Sequence, residues 1–173
     1  QSEQLGLGHA ILCAERVIGN EPFAVLLADD FLTHENESVK SNVTNELKNA
    51  FQATGHTQLS VTQVLGVDIS RYGVIVKGNA PGAVAGIIEK PSFEEAPSDM
   101  ASIGRYIFTP DIFDVLRDLP TSSGEEVQLA DAINIQAKRG KVNSVHSTAL
   151  RFDCGSVDGF LAAISYVSSL RQS

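Results

Sequence analysis

Phe23-Ala-Val-Leu-Leu-Ala-Asp-Asp30 runs through unbroken apolar residues into two adjacent carboxylates. A short continuous apolar run predicts a buried parallel strand, and the aspartates mark its C-terminal end, the edge at which open α/β sheets collect ligands. Downstream, residues 43–51 place Val43, Leu47, Ala50 and Phe51 on one helical face before Gly55, and residues 57–65 alternate as a strand does. These segments together predict a β-α-β unit. Upstream, Leu7, Ala10, Ile11, Ala14 and Val17 recur at helical spacing and Gly19-Asn20 supplies a stop, so a helix is expected over 7–17.

Beyond Tyr72 the pattern shortens. Strand-like pieces at 73–76, 83–89 and 101–109 are separated by the Gly78-Asn-Ala-Pro-Gly82 turn and the 91–97 loop, which predicts a mixed sheet. Pro110 can open a helix over 111–118, and a second helix is expected over 127–138. Residues 142–146 and 150–153 read as strands, and Phe160, Leu161, Ile164, Val167 and Leu170 predict a closing helix over 157–170. The expected architecture is α/β and Rossmann-like, a mixed sheet flanked by helices, in a single domain over 1–173.

Composition narrows the functional classes. The 43% hydrophobic content of 173 residues is enough for one sizeable core. A net charge of -8 and a pI near 4.9 argue against a nucleic-acid surface, which needs clustered Lys and Arg. An anionic small substrate would then need local positive charge. Cys13 and Cys154 lack metal-ligand spacing and read as reduced thiols of a cytoplasmic protein, with a disulfide between them as the minor alternative. No apolar run reaches membrane-spanning length and no signal-peptide order is seen, so no membrane partner is expected.

The chemistry-bearing residues occur in short elements, each with a plain structural alternative. An Asp after a strand is usually a solvated turn or a cap. His9 and Cys13 lie one helical turn apart, a spacing that belongs to packing more often than to a metal site, and no ligand role is assigned to either. In Glu89-Lys-Pro91 the Pro biases Lys90 toward an extended backbone, so that Glu89 and Lys90 should point to opposite sides. Gly73 and Gly104 read otherwise as bulge glycines, and Tyr106 as a strand aromatic.

Taken in order, Gln1-Ser-Glu-Gln-Leu-Gly-Leu-Gly-His-Ala10, Ala28-Asp-Asp30, Glu89-Lys-Pro91 and Phe152-Asp-Cys-Gly155 resemble the sugar-binding two-thirds of the bacterial UTP–glucose-1-phosphate uridylyltransferases, over nearly the whole chain. The resemblance implies the nucleotide-diphospho-sugar transferase fold and a nucleotidyltransferase that makes UDP-glucose and pyrophosphate from UTP and glucose-1-phosphate. It implies that Gln1 and Gly6 read the uracil edge and that Asp29 and Asp153 hold one Mg²⁺, with Asp30 a neighbour that could also act. It further implies that Lys90 pairs with the sugar phosphate and Glu89 with hexose hydroxyls. Gly73, Gly104, Tyr106 and Glu126 would enclose the hexose, with Gln128 and Asp131 as further candidates from Glu125-Glu-Val-Gln-Leu-Ala-Asp131. Ala28 and Ala130 depart from the family's Pro and Thr, and the change at 130 removes a hydroxyl.

The family's N-terminal strand and Gly-x-Gly-Thr-Arg-type loop do not occur in this sequence. The chain is therefore expected to start in mid-enzyme, to be inactive or nearly so alone, and to self-associate as a homo-oligomer. The alternatives are a related nucleotidyltransferase for another base or sugar phosphate, and a catalytically silent sugar-nucleotide-binding module.

Overall fold

The computed structural model describes residues 1–34, 42–119 and 126–171. Glu125 of the acidic motif lies outside the described residues.

The N-terminal helical region is interrupted: α1 spans Gly6–Leu12 and α2 spans Glu15–Ile18, with the chain turning at Cys13 and Ala14. The apolar spacing holds only in part: Ile11 is buried in the core, whereas Val17 is 90% exposed and Leu7 36%. Strands β1 (Phe23–Leu26) and β2 (Asp30–Thr33) follow. Helix α3 (Val43–Thr54) is capped by the Asn42 side chain, which accepts from the Asn45 N–H at 2.9 Å, and ends at Gly55 with φ +68°. Strands β3 (Thr57–Gln63), β4 (Gly73–Lys77), β5 (Val84–Glu89) and β6 (Met100–Phe108) lead to helices α4 (Ile112–Asp118) and α5 (Leu129–Lys138). The chain closes with β7 (Val142–His146), β8 (Leu150–Asp153) and α6 (Val157–Leu170).

The main sheet has the order β5-β4-β6-β3-β7, with β1 beside β6. Strand β6 is its axis. One flank pairs antiparallel with β3, while the other is shared between β4 near Ala101 and β1 over residues 105–108. Among the described residues, only β3 and β7 pair in parallel. The first strand therefore departs from expectation: β1 pairs antiparallel with β6, and its burial alternates, with Leu26 54% exposed. A run of apolar residues records hydrophobicity but not the direction of the neighbouring strand. The β-α-β reading survives in another form. Both β1 and β3 run opposite to β6, hence parallel to one another on its two sides, with α3 connecting them.

Helix α5 covers the outer part of the sheet through Asn134. Its Oδ1 accepts the Ile87 N–H at 2.7 Å and its Nδ2 donates to the Ile87 carbonyl at 3.0 Å, so an amide side chain imitates a neighbouring strand at β5. Below, Leu59, Phe108, Ile112, Leu116 and Ile133 form the centre of the principal core.

A second, two-stranded sheet pairs β2 with β8 and sets Asp30 opposite Asp153. Polar contacts fasten this ribbon to β6. Arg105 donates to the carbonyls of Leu27 at 3.1 Å and Asp30 at 2.7 Å, and the Gly104 N–H donates to Asp30 Oδ2 at 2.6 Å. Against β3, the register of β6 jumps from Tyr106 to Ser102 across this stretch, so Gly104 does lie in a bulge.

Candidate functional site

Six segments converge on a cleft of about 300 Å³: α1 at Leu7, the turn after β1, the facing ends of β4 and β5, the bulge of β6, the entry to α5, and β8 at Arg151. Of the residues expected from the sequence, Asp29, Gly73, Glu89, Gly104, Tyr106 and Glu126 line it, together with Gln128.

Each is placed by a specific local cause. Gly73 pairs with Glu89 across β4 and β5, and a Cβ at 73 would stand 3.0 Å from Glu89 Oε2 and 2.8 Å from Ile87 Cδ1. The missing side chain is the space in which the Glu89 carboxylate sits. Gly104 is required more stringently, because a Cβ there would come within 2.6 Å of Asp30 Oδ2 and 2.7 Å of Leu27 Cβ. Tyr106 forms the floor, 8% exposed and stacked on Phe108 with ring centroids 5.5 Å apart. Burial raises its phenol above the ordinary value of 10.0, so the hydroxyl is neutral at physiological pH.

Glu126 is held from below by the first helix. Gly8 N–H donates to the Val127 carbonyl at 2.9 Å and Val127 N–H to the Leu5 carbonyl at 2.8 Å, while Gly6, with φ +84°, lies so close that a Cβ would stand 3.0 Å from Glu126 Cβ. Gly6 and Gln1 do not line the cleft. The Gln1 amide instead donates to the Gly6 carbonyl at 3.1 Å and meets His9 Nδ1 at 2.9 Å, so the two residues expected to act together are neighbours. Asp131 is also outside the lining and occupies the first turn of α5, where its charge suits the helix dipole.

Asp153 lies just beyond the lining residues, beside Asp29. A Cβ at Gly155 would be 3.2 Å from both Asp29 Oδ2 and Asp153 Oδ1, so one small empty cradle separates two carboxylates from distant chain segments. The backbone fixes them together: Cys154 N–H donates to the Asp29 carbonyl at 2.7 Å and Gly155 N–H to Asp153 Oδ1 at 3.2 Å. Such a pair fits a divalent cation that keeps most of its coordination positions for water or phosphate. No cluster of three or more His, Cys, Asp or Glu residues suited to a metal occurs among the described residues.

Lys90 corrects an expectation. Its φ is +46°, in the left-handed region and not extended, although Pro91 follows it. The Lys90 N–H donates to the Tyr72 carbonyl at 3.0 Å and Pro91 is buried, so tertiary contacts override the local proline bias. The side chain is exposed and does not line the cleft, although its backbone adjoins the Tyr72-Gly73 wall. A non-glycine residue held at positive φ costs on the order of 1–3 kcal/mol and is characteristic of functional positions.

Three arginines complete the site without having been assigned from the sequence. Arg105 clamps the turn after β1, as described above. Arg151 lines the cleft, with Nη2 2.5 Å from Asp30 Oδ1, Nη1 donating to the Tyr72 hydroxyl at 3.0 Å and its guanidinium carbon 5.0 Å from the Tyr72 ring centroid. Arg71, more exposed, reaches Asp153 Oδ2 at 3.4 Å. Arg71 and Arg105 stand inside the runs Arg71-Tyr-Gly73 and Gly104-Arg-Tyr106 that drew attention to Gly73, Gly104 and Tyr106, whereas Arg151 carried no sequence signal. The lining carries Asp29, Asp30, Glu89 and Glu126 against Arg71 and Arg151, so it is net acidic. Cys13 and Cys154 are free thiols, and no described helix is long and apolar enough to cross a membrane.

Residues 1–169 match the family model described as nucleotidyl transferase. The chain is 38% identical over 169 residues to the UTP–glucose-1-phosphate uridylyltransferase of Haemophilus influenzae, covering 94% of this chain and 57% of that protein. Among solved structures it resembles an apo UDP-glucose pyrophosphorylase (TM-score 0.89, 39% identity, 99% of this chain and 63% of that one). A second resembled structure is a UDP-glucose pyrophosphorylase complexed with UDP-glucose (TM-score 0.85, 38% identity, 98% and 65%). The chain thus spans somewhat over half the length of the curated relatives it matches.

Proposed function

The chain belongs to the nucleotidyl transferase family, and we propose that it carries the sugar-phosphate side of a uridylyltransferase site that forms UDP-glucose and pyrophosphate from UTP and glucose-1-phosphate. The observation that carries this reading is the convergence of Asp29 and Asp153 on the cradle above Gly155, at the mouth of a cleft whose wall is cut away at Gly73 for Glu89.

In the proposed reaction an oxygen of the sugar phosphate bonds to the α-phosphorus of UTP, the bond from that phosphorus to the β-phosphate oxygen breaks, and pyrophosphate departs with the electron pair. No covalent protein intermediate is needed. The chain's residues position and neutralise. Glu89 accepts hydrogen bonds from hexose hydroxyls, Tyr106 closes the floor, and Gly104, whose missing side chain makes room for Asp30 and Leu27, borders the sugar. Lys90 pairs with the sugar phosphate, and its strained backbone supports a role beyond the fold. Gln1 and Gly6 approach the base, while Glu126 borders the hexose. Mg²⁺, held by Asp29 and Asp153, would supply charge neutralisation and a template for two polyanions. A net acidic cleft favours that arrangement, because a phosphate entering it without a cation is repelled.

Calorimetry with UDP-glucose, with and without Mg²⁺, tests the proposal. Binding that depends on Mg²⁺ and is lost in Asp29→Ala is expected. Binding indifferent to both would move the ligand to another surface, and preference for another nucleoside diphosphate sugar would reassign the base or sugar. The proposal extends to a cytoplasmic homo-oligomer, supported by the free thiols and by the exposed Phe160, Leu161 and Ile164 on α6. Light scattering across a concentration series checks the association, and a monomer throughout would remove it.

A further inference from the structure

Three carboxylates meet where β2 and β8 begin and end, and they do not share the same surroundings. Asp30 faces Asp153 across the ribbon, and Asp29 precedes it in the chain. Asp30 is 6% exposed and occupied at both oxygens, by Arg151 at 2.5 Å and by the Gly104 N–H at 2.6 Å. Among the described residues, the Asp153 carboxylate is held only by the exposed Arg71 at 3.4 Å and by the Gly155 N–H at 3.2 Å. The Asp29 carboxylate has neither an ion pair nor a hydrogen bond among the described residues.

The two arginines differ accordingly. The Arg151 side chain is 18% exposed, lies over the Tyr72 ring and donates to the Tyr72 hydroxyl, so its guanidinium is fixed before any ligand arrives. The Arg71 side chain is 58% exposed and can swing away from Asp153 at little cost. A cation approaching the Gly155 cradle can therefore displace Arg71 but not Arg151.

We propose that Arg151 is a positioning residue that sets the composition of the cation site: by holding Asp30 it withdraws one of three adjacent carboxylates and leaves Asp29 and Asp153 as the pair that meets a divalent cation. The inference rests on the reading of Asp29 and Asp153 given above. With two carboxylates, most positions on the cation stay open to water and phosphate. A third would tighten the cation and close one of those positions, because affinity rises with the number of charged ligands. Arg151 therefore keeps the site loose enough to accept a substrate phosphate.

Mn²⁺ titration followed by water-proton relaxation, with no nucleotide present, tests this on the full chain. Arg151→Met should bind Mn²⁺ about tenfold more tightly and show a smaller relaxation enhancement, because Asp30 replaces a bound water. Arg151→Lys, which keeps the charge, should stay close to wild type. The double variant Arg151→Met/Asp30→Asn leaves no unpaired buried carboxylate, and it should retain wild-type affinity and enhancement even if the single variant fails to fold. Arg117→Gln removes one positive charge from an ion-paired surface site on α4 and should change nothing.

A Met variant that melts earlier but binds Mn²⁺ like wild type would reduce Arg151 to a structural part and overturn the proposal. Loss of Mn²⁺ binding in the double variant would overturn it too, by placing Asp30 or Arg151 among the groups the cation needs. Absence of Mn²⁺ binding in wild type would also sink it. UDP-glucose calorimetry then shows separately whether the sugar-nucleotide reading survives.

Discussion

Gly73→Ala should weaken recognition of the hexose while sparing that of the nucleotide. The added Cβ would meet Ile87 Cδ1 at 2.8 Å, Ile87 Cγ1 at 3.3 Å and Glu89 Oε2 at 3.0 Å. Both neighbours are side-chain atoms, so the backbone of β5 need not move. Ile87 can yield by an off-rotamer adjustment costing about 0.5–1.5 kcal/mol. That corresponds to a fall in thermal midpoint of roughly 1–6 °C for a chain of this size. Glu89 has to leave the notch, and with it goes one hydrogen bond donated by a sugar hydroxyl to a charged acceptor, worth about 1.5–3 kcal/mol. At 1.4 kcal/mol per factor of ten, the Kd for UDP-glucose should rise about 10- to 150-fold. Isothermal titration with UDP-glucose and with UDP, on wild type and variant, provides the measurement. The Kd for UDP should not change, and Gly73→Ala combined with Glu89→Gln should cost little more than Glu89→Gln alone, since both remove one contact. A variant that binds UDP-glucose within twofold of wild type, or that loses UDP equally, would refute the assignment of Glu89 to the hexose.

Gly104→Ala strikes both Asp30 and Leu27, and overpacking of this kind should destabilise the protein by about 1–3 kcal/mol, a drop of roughly 2–12 °C in calorimetry. Lys90→Gly relieves a positive φ and should stabilise the fold by about 1 kcal/mol, yet weaken glucose-1-phosphate binding; a variant that is less stable or that binds unchanged would contradict one half or the other. The buried Tyr106 phenol, raised above its ordinary value by burial, keeps its proton while the unfolded chain ionises, so stability should fall as pH rises above about 10. Tyr106→Phe should show a shallower decline there in urea titrations, and parallel slopes would remove this residue as the source.

Much of the fold was legible because burial imposes a period on the chain. The spacing of Val43 and Leu47, both buried, predicted α3; the run from Val157 to Leu170 matched α6 to its ends by spacing alone, since Phe160, Leu161, Ile164, Val167 and Leu170 are exposed. Partner choice leaves no such period. The apolar run 23–28 could not disclose that β1 would pair antiparallel with β6, because direction is decided by residues eighty positions away. Lys90 was misread for a related reason, since the proline rule is local and the hydrogen bond to Tyr72 is not. In the candidate site, Asp29, Glu89 and Gly73 were visible as motif residues. Arg151 was not, because an arginine becomes informative only when its distant aspartate and tyrosine are known.

The carboxylates ride on a ribbon tied to β6 by polar contacts and not by the principal apolar core. Phe31, Phe152 and Tyr166 pack on one another, with centroids 5.8 Å and 5.3 Å apart, as a small aromatic cluster outside the principal core. The β2–β8 ladder they support is four residue pairs long. Elements with so few buried contacts open at lower free energy than a central sheet. On gentle warming, ligand binding should therefore fail while the circular dichroism of the main sheet is still native, and amides of residues 30–33 and 150–153 should exchange with deuterium well before those of β6.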